Sequence, residues 1–247
     1  MRWPAVACVI LILGSMPTVL AVSPLVTDDA DPVDRGHLEL DGGWTDGRAA
    51  SAELLTLKLN PVLGITQNAE VGFDFGYQWH RDHNSTQSGS TDSILETKYR
   101  FWQTTNERLK FGVRVDLKLP IAPDHDGLGT GKADTAVILL ITQHYGKTWL
   151  DSNLGYNLID LADRTAANDQ LFFGQAIRQE LSSTWWLIAE AYTNLPFTAR
   201  ERRSQLNFSA GAQYSPANNV TLSALISSAA GHHSPDLTSS LTFTVVF

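Results

Sequence analysis

The sequence is dominated by a strict alternation of apolar and polar residues, repeated in one segment after another. The clearest segment has apolar residues at every second position, namely Val71, Phe73, Phe75, Tyr77 and Trp79. Segments 109–119 and 205–214 show the same pattern. Because successive side chains of a strand point to opposite faces, each segment has one apolar face and one polar face. The alternation predicts an all-β fold and shows no sustained helical period.

Two all-β architectures produce such alternation. A soluble sandwich turns its apolar faces inward, whereas a membrane barrel turns them outward to lipid and keeps its lumen polar. The barrel is favoured because the apolar faces are long and rich in aromatic residues. The chain also ends in alternating Leu241, Phe243 and Val245 and a terminal Phe247, which resembles the C-terminal signal of bacterial outer-membrane barrels. We therefore predict a transmembrane antiparallel β-barrel in a Gram-negative outer membrane.

The first residues predict an exported protein. Arg2 gives a positive start, and the run from Val6 to Leu20 is almost wholly apolar. About 15 apolar residues are few for a spanning helix, so we predict a cleaved signal peptide at 1–21, with a membrane anchor as the alternative. The only cysteine, Cys8, lies in this segment, so the mature chain would hold no disulfide and no cysteine-based zinc site. The net charge of -8 argues against a nucleic-acid partner.

We predict that residues 36–247 form one barrel domain of about twelve strands. Short turns alternate with longer polar loops, as in barrels with short periplasmic turns and longer external loops. The predicted strands are 36–44, 51–64, 69–80, 91–103, 107–119, 133–144, 147–158, 168–180, 184–195, 203–215, 219–229 and 237–247. Ten strands are the alternative, because the first predicted strand is short and the sixth alternates poorly.

Residues 22–35 do not alternate. They contain an acidic and turn-rich run from Thr27 to Pro32. We predict an extended periplasmic lead-in segment here. The alternative is that the segment folds into the lumen as a short plug.

Several stretches of the chain together resemble one family of barrels. These stretches are 24–31, 36–40, 59–72, 119–120 and 127–134, followed by the apolar run 137–141. They are similar to the outer-membrane family named for meta-pathway phenol degradation, a family of transporter-like proteins, over essentially the whole mature chain. The resemblance implies a barrel that passes small, often hydrophobic or aromatic, compounds. It implies no catalytic residues.

Charged residues line the inside of the predicted barrel when the apolar faces turn outward. The first three strands supply the acidic residues Glu39, Asp41, Glu53, Glu70 and Asp74. The next two supply basic residues, with Glu96 and Asp116 among them. An acidic wall beside a basic wall would select solutes by charge; alternatively, the strands pair their charges and fill the lumen with salt bridges. We assign to the pore lining Glu70, Asp74, Lys98, Arg100, Lys110, Arg114 and Lys118.

Aromatic residues raise two further interpretations. Phe172, Trp186, Ile188 and Tyr192 have the phase of the lumen face, so they form an aromatic platform there, or the assumed register is off by one residue in this part. A third interpretation is that they pack as a plug. We favour the register slip or the plug over the platform. Other aromatic residues lie near strand ends and suit interfacial girdles; they are Tyr99, Phe101, Trp149, Tyr156, Trp185 and Tyr214.

Evidence for metal sites or catalysis is weak. Asp124 and Asp126 could hold calcium in a glycine-rich turn, but a flexible external loop explains them better. Two neighbouring histidines, His232 and His233, do not make a metal site. An outer-membrane lipid-modifying enzyme would need a nucleophile beside a base such as His144, and no G-x-S-x-G motif occurs.

The sequence therefore predicts a passive conduit for small molecules, with no enzymatic activity, cofactor or metal. A structural barrel with a blocked lumen is the second hypothesis. The predicted partners are outer-membrane lipid, a small-molecule solute, and the barrel assembly machinery, which would bind the C-terminal strand ending in Phe247.

Overall fold

A computed structural model describes residues 24–49, 52–82, 86–122, 128–161, 169–197, 206–230 and 237–247. The described residues form thirteen strands and no helix. None of them therefore belongs to a helix long and apolar enough to cross a bilayer. The strands are β1 Leu38–Ala49, β2 Ala52–Thr66, β3 Ala69–Asp82, β4 Thr86–Ser90, β5 Ser93–Gln103, β6 Leu109–Leu119, β7 Asp134–Tyr145, β8 Thr148–Leu158, β9 Gln170–Glu180, β10 Trp185–Pro196, β11 Leu206–Ala217, β12 Val220–Ala230 and β13 Leu237–Val246.

Twelve of these strands form a closed antiparallel barrel, which confirms the predicted fold. Each strand pairs with its neighbours in the chain, and the barrel closes where β1 pairs with β13. At this seam the Leu38 N–H donates to the Phe247 carbonyl at 3.2 Å, and the Phe247 N–H donates to the Leu38 carbonyl at 2.9 Å. The thirteenth strand, β4, continues the line of β5 along β3, because β5 pairs with the first half of β3 and β4 with the second half.

The two ends of the barrel differ in their connections. Short turns join β2 to β3, β5 to β6, β7 to β8, β9 to β10 and β11 to β12, and both the start of β1 and the end of β13 lie at this end. We call it the turn end, and the opposite end the loop end. The strand bounds agree with the predicted bounds to within a few residues, except that β1 continues through 45–49, where a loop was predicted, and β4 lies within the predicted loop 81–90.

Exposed apolar side chains cover the outside of the barrel. They include Phe75, Phe101, Leu187, Phe208 and Phe243. Because these residues alternate with lumen residues along each strand, the outside matches the apolar surface that lipid requires.

Two residues lie on the opposite side from the one predicted. Trp149 belongs to the lumen face and packs edge-on against Trp186 with ring centroids 4.8 Å apart, so it is not part of an outer girdle. Glu53 is exposed, in phase with the outward-facing Leu55 and Leu57. Leu54 beside it breaks the alternation, and this misled the prediction for Glu53.

The described part of the N-terminal segment, Pro24–His37, enters the barrel lumen from the turn end. Thr27 and Ala30 are fully buried inside the barrel wall. This arrangement corresponds to the plug alternative, and it differs from the extended periplasmic lead-in that we predicted for 22–35. The acidic residues of the segment have binding partners on the lumen wall, which an extended position outside the barrel could not provide.

The segment crosses β2 at a point where only glycine leaves enough space. The Gly36 N–H donates to the Gly64 carbonyl at 2.8 Å, and the Gly64 N–H donates to the His37 carbonyl at 3.1 Å. A Cβ on Gly64 would lie 2.2 Å from the carbonyl oxygen of Asp34 and 2.4 Å from that of Val33. Both contacts are with backbone, so a side chain here would push the segment away from β2.

We expect Gly64→Ala to lower the free energy of unfolding by about 1–3 kcal/mol, the usual cost of overpacking. Urea unfolding in lipid vesicles, followed by tryptophan fluorescence, measures this change. Gly72→Ala is the matched control, because its Cβ would meet only side-chain tips at 3.2 Å, which can shift. Equal stability of the two variants would contradict the close crossing.

Candidate functional site: the lumen

The basic residues of β5 and β6 bind the carboxylates of the N-terminal segment. Lys98 Nζ and Arg114 Nη1 each lie 3.0 Å from a different oxygen of Asp28. Arg100 Nη1 lies 2.5 Å from Asp31 Oδ1, and Lys110 Nζ lies 2.8 Å from both oxygens of Asp31. Each of the two carboxylates is thus held by two cations. Charge-assisted hydrogen bonds of this kind are the strong ones.

A second cluster joins the segment to β8 and β9. Arg178 is almost fully buried; its Nε lies 3.0 Å from Asp151 Oδ2 and its Nη2 lies 3.1 Å from Asp29 Oδ2. The Thr142 hydroxyl donates to Asp151 Oδ1 at 2.8 Å. Arg178 and Asp151 were not among the predicted site residues. The alternation of Phe172, Gly174, Ala176 and Arg178 places Arg178 on the lumen face. Because the sequence analysis favours other interpretations than a lumen platform for this region, it does not assign Arg178 to the site.

Side chains of the lumen wall also bind the backbone of the segment. The N–H groups of Val26 and Thr27 donate to Glu190 Oε2 at 3.0 Å each. The N–H of Asp28 donates to Asn153 Oδ1 at 2.8 Å, and that of Val33 to Glu70 Oε2 at 2.5 Å. Since buried backbone groups need hydrogen-bond partners, these side chains supply what a strand neighbour would supply in a sheet.

Apolar contacts also hold the segment inside the barrel. Ala30 packs inside the barrel with Ile138 and Leu140 of β7 and with Phe172 of β9, next to Tyr192. The inner face of β7 is therefore apolar because the segment covers it, and this explains why the strand alternates poorly. The burial of Phe172, Trp186 and Ile188 on the lumen side shows that the assumed register is right and that the register slip is wrong. The packing of Phe172 against Ala30 corresponds to the plug alternative.

The two neighbouring carboxyls of the segment differ in their affinity for protons. Burial acts to raise the pKa of Asp28, but Lys98 and Arg114 bring it below its ordinary value. At Asp29 burial outweighs the attraction of Lys98 and Arg178 and raises the pKa to about 7. On acidification Asp28 therefore keeps its charge, whereas Asp29 takes up a proton first.

A cavity of about 1080 Å³ remains beside the segment. Its lining extends from Asn219 and Val246 at the turn end to Thr238 and Ala229 near the loop end, so it follows most of the length of the strands. One side is lined by small polar residues of β11 to β13, including Ser209, Ser227, Ser240 and Thr242. The other side is lined by the segment and by the charged residues of β1 to β6.

Six of the seven predicted pore-lining residues lie on this cavity, namely Glu70, Asp74, Lys98, Arg100, Lys110 and Arg114. Lys118 is not part of the lining. It lies near the loop end and forms an ion pair with Asp134, with Asp92 3.8 Å from its Nζ. Asp74 pairs with Lys58 at 2.8 Å, a lumen cation that the sequence analysis did not single out. Charged residues of both signs thus lie on this side of the lumen, and many of them are paired with each other or with the segment.

The remaining candidates for chemistry have structural contacts or lie outside the described residues. His144 stacks on Trp149 with ring centroids 4.0 Å apart, and its Nε2 lies 2.8 Å from the Gly146 carbonyl. Within the described ranges no group of three or more His, Cys, Asp and Glu side chains is arranged to hold a metal. Asp124, Asp126, His232, His233 and the signal segment 1–21 lie outside the described residues.

Solved structures with a similar fold include outer-membrane channels and porins. An outer membrane channel from Pseudomonas putida F1 matches with a TM-score of 0.70 at 13% identity, over 90% of this chain and 100% of that chain. The NanC porin matches with a TM-score of 0.58 at 10% identity, over 85% and 98% of the two chains. The CymD monoaromatic hydrocarbon channel matches with a TM-score of 0.52 at 8% identity, over 87% and 89%.

These identities establish a shared fold and nothing finer. No protein-family profile matches the sequence, and a search of curated proteins gave no match.

Proposed function

We propose that this chain is an outer-membrane channel for the passive passage of small molecules. The observation that carries the proposal is the cavity of about 1080 Å³, which follows the strands from the turn end to near the loop end. The apolar outside and the fold shared with the P. putida F1 channel and the NanC porin support it. These related structures are channels and porins, not enzymes.

The lining of the cavity is mixed in character. Charged and hydroxyl-bearing side chains lie beside apolar ones such as Val62, Leu225 and Val246. Trp149 and Tyr192 also border the cavity, so a solute with one aromatic ring has flat surfaces against which to pack. We infer that polar aromatic compounds suit this lumen better than the hydrophobic compounds implied by the family resemblance.

Single-channel recording of the refolded mature chain in planar bilayers tests the function. We expect discrete openings, with a conductance limited by the N-terminal segment. A folded, heat-modifiable barrel that carries no current would contradict the channel and support the structural barrel with a blocked lumen. The complete burial of Thr27 and Ala30 in the lumen is what favours that second candidate.

We expect Arg114→Glu to shift the reversal potential across a salt gradient towards cation selectivity. The substitution places a carboxylate beside Asp28, Asp116 and Glu96, in a lumen where the charge of the wall selects ions. Lys147→Glu is the control, because Lys147 is exposed in a turn at the barrel end. An unchanged reversal potential in a folded Arg114→Glu barrel would show that this wall does not set selectivity.

Export by a cleaved signal peptide and insertion by the barrel assembly machinery are part of the same proposal. Leu241, Phe243 and Phe247 are exposed on the outside of β13 and just after it, so a partner could reach the apolar C-terminal residues before the seam closes. Mass spectrometry of the mature protein, purified from outer membranes, would show whether the chain begins at Val22.

A further inference from the structure

The N-terminal segment shows which chemical group the lumen binds. Asp31 is held by Arg100 and Lys110, whose side chains are mostly buried. Arg100 also donates to the Gln67 carbonyl and to Asn68 Oδ1, both of them neutral acceptors. Among the described residues, Asp31 is the only carboxylate in an ion pair with these two cations. The pair of cations therefore carries one positive charge more than its bound carboxylate neutralises.

The Asp31 site differs from the deeper one around Asp28. Lys98 also lies 3.2 Å from Glu70, and Arg114 lies 3.0 Å from Asp116, so wall carboxylates remain there if Asp28 leaves. The side chain of Asp31 is 35% exposed, compared with 15% for Asp28. Arg100, Lys110 and Asp31 all border the open cavity. A solute in the cavity can thus reach the Asp31 site without first displacing the buried part of the segment.

We propose that Arg100 and Lys110 form a carboxylate-binding site for small organic anions, which exchange with Asp31 of the chain itself. The incoming carboxylate replaces Asp31 in the same hydrogen bonds, so the two cations keep a partner. The released Asp31 carboxylate, already partly exposed, turns towards the open cavity. Asp31 lowers the affinity of the site by competition, because it is tethered beside it. This proposal names the solute class for the proposed channel and rests on that function.

Benzoate is a suitable probe, and benzamide is its neutral match in shape. We expect Asp31→Asn to bind benzoate about ten-fold more tightly than the unmodified protein in isothermal titration calorimetry, because the competing carboxylate is gone. We also expect its reversal potential to shift towards anions. Benzamide binding should be the same in both proteins. Asp34→Asn is the matched control, since Asp34 lies on the same segment, is exposed, and makes no ion pair within the described residues.

A second variant tests the site from the side of the wall. Lys110→Met removes one of the two cations and leaves Asp31 on the other, so benzoate binding should weaken about ten-fold or more, as for a lost charge-assisted hydrogen bond. If Asp31→Asn does not fold, benzoate binding by Lys110→Met alone tests the carboxylate site. Benzoate affinity that is unchanged in both folded variants, or equal for benzoate and benzamide, overturns the carboxylate site.

Failure of the channel function gives a different result. Folded variants that bind benzoate as expected but carry no current would overturn the channel and retain the binding site. Current that flows without any response to benzoate, in the unmodified protein and in Asp31→Asn, would retain the channel and overturn the site.

Discussion

Deletion of residues 24–33 is expected to raise the single-channel conductance several-fold. The segment lies against the lumen side of β3 and of β5 to β10, and its removal joins that space to the cavity of about 1080 Å³ on the other side. The current through a water-filled pore rises with its open cross-section, so the deleted barrel should conduct like an unobstructed pore of twelve strands. Recording in planar bilayers at equal salt measures the change, after heat-modifiability has shown that the barrel is folded.

A covalent lock provides the control for this deletion. The Cβ of Ala30 lies 3.4 Å from the place where a Cβ on Gly112 would be, close to the usual separation in a disulfide. Cys8 is the only cysteine of the chain, so Ala30→Cys with Gly112→Cys should form a single bridge in the mature protein. The oxidised variant should keep the low conductance. If the locked and the deleted barrels conduct alike, the segment does not limit the current.

Arg178→Met is expected to destabilise the barrel by about 3–5 kcal/mol, the cost of removing one partner from a buried ion pair. The substitution keeps most of the side-chain volume but leaves Asp151, which is fully buried, and Asp29 without this cation. Urea unfolding in vesicles, followed by tryptophan fluorescence, measures the loss.

Two further variants separate charge from packing at this site. Lys147→Met breaks the exposed pair of Lys147 with Glu180 at 3.4 Å, which should cost less than about 1 kcal/mol. Adding Asp151→Asn to Arg178→Met should restore part of the stability, because asparagine is neutral and can still accept from the Thr142 hydroxyl. A loss in Arg178→Met no larger than in Lys147→Met would show that water reaches the Arg178 cluster.

The sequence predicted the barrel and much of its lumen because the alternation is a local signal. On β3, β5 and β6 nearly every second residue is polar, so the phase of each strand identifies Glu70, Lys98 and Arg114 as inward-facing without any knowledge of the partner strands. Where both faces are apolar, as on β7, or where a leucine pair interrupts the phase, as beside Glu53, the same signal fails.

The position of the N-terminal segment could not be derived from local pattern. A run of aspartates is interpreted as a solvated tail when the positions of the cations that bind it are not known. Those cations are spread over β5, β6 and β9, and only closure of the barrel brings Lys98 and Arg178 to the same carboxylate. The one local clue is the apolar inner face of β7, since Ile138 and Leu140 need a cover that a water-filled lumen would not provide.

Several contacts of the N-terminal segment join residues that are far apart in the sequence, and this affects the order of folding. Val26 bonds to Glu190, 164 positions further along the chain, and Asp29 pairs with Arg178, 149 positions further along. Contacts over such separations form late, because the intervening loop must be closed first. Val26 and Asp29 are thus synthesised long before the strands that bind them and are among the last residues to reach their native contacts. Asp28 and Asp31 have partners on β5 and β6, so the two ends of the segment differ: the part around Val26 and Asp29 cannot reach its final contacts until β9 and β10 are in place.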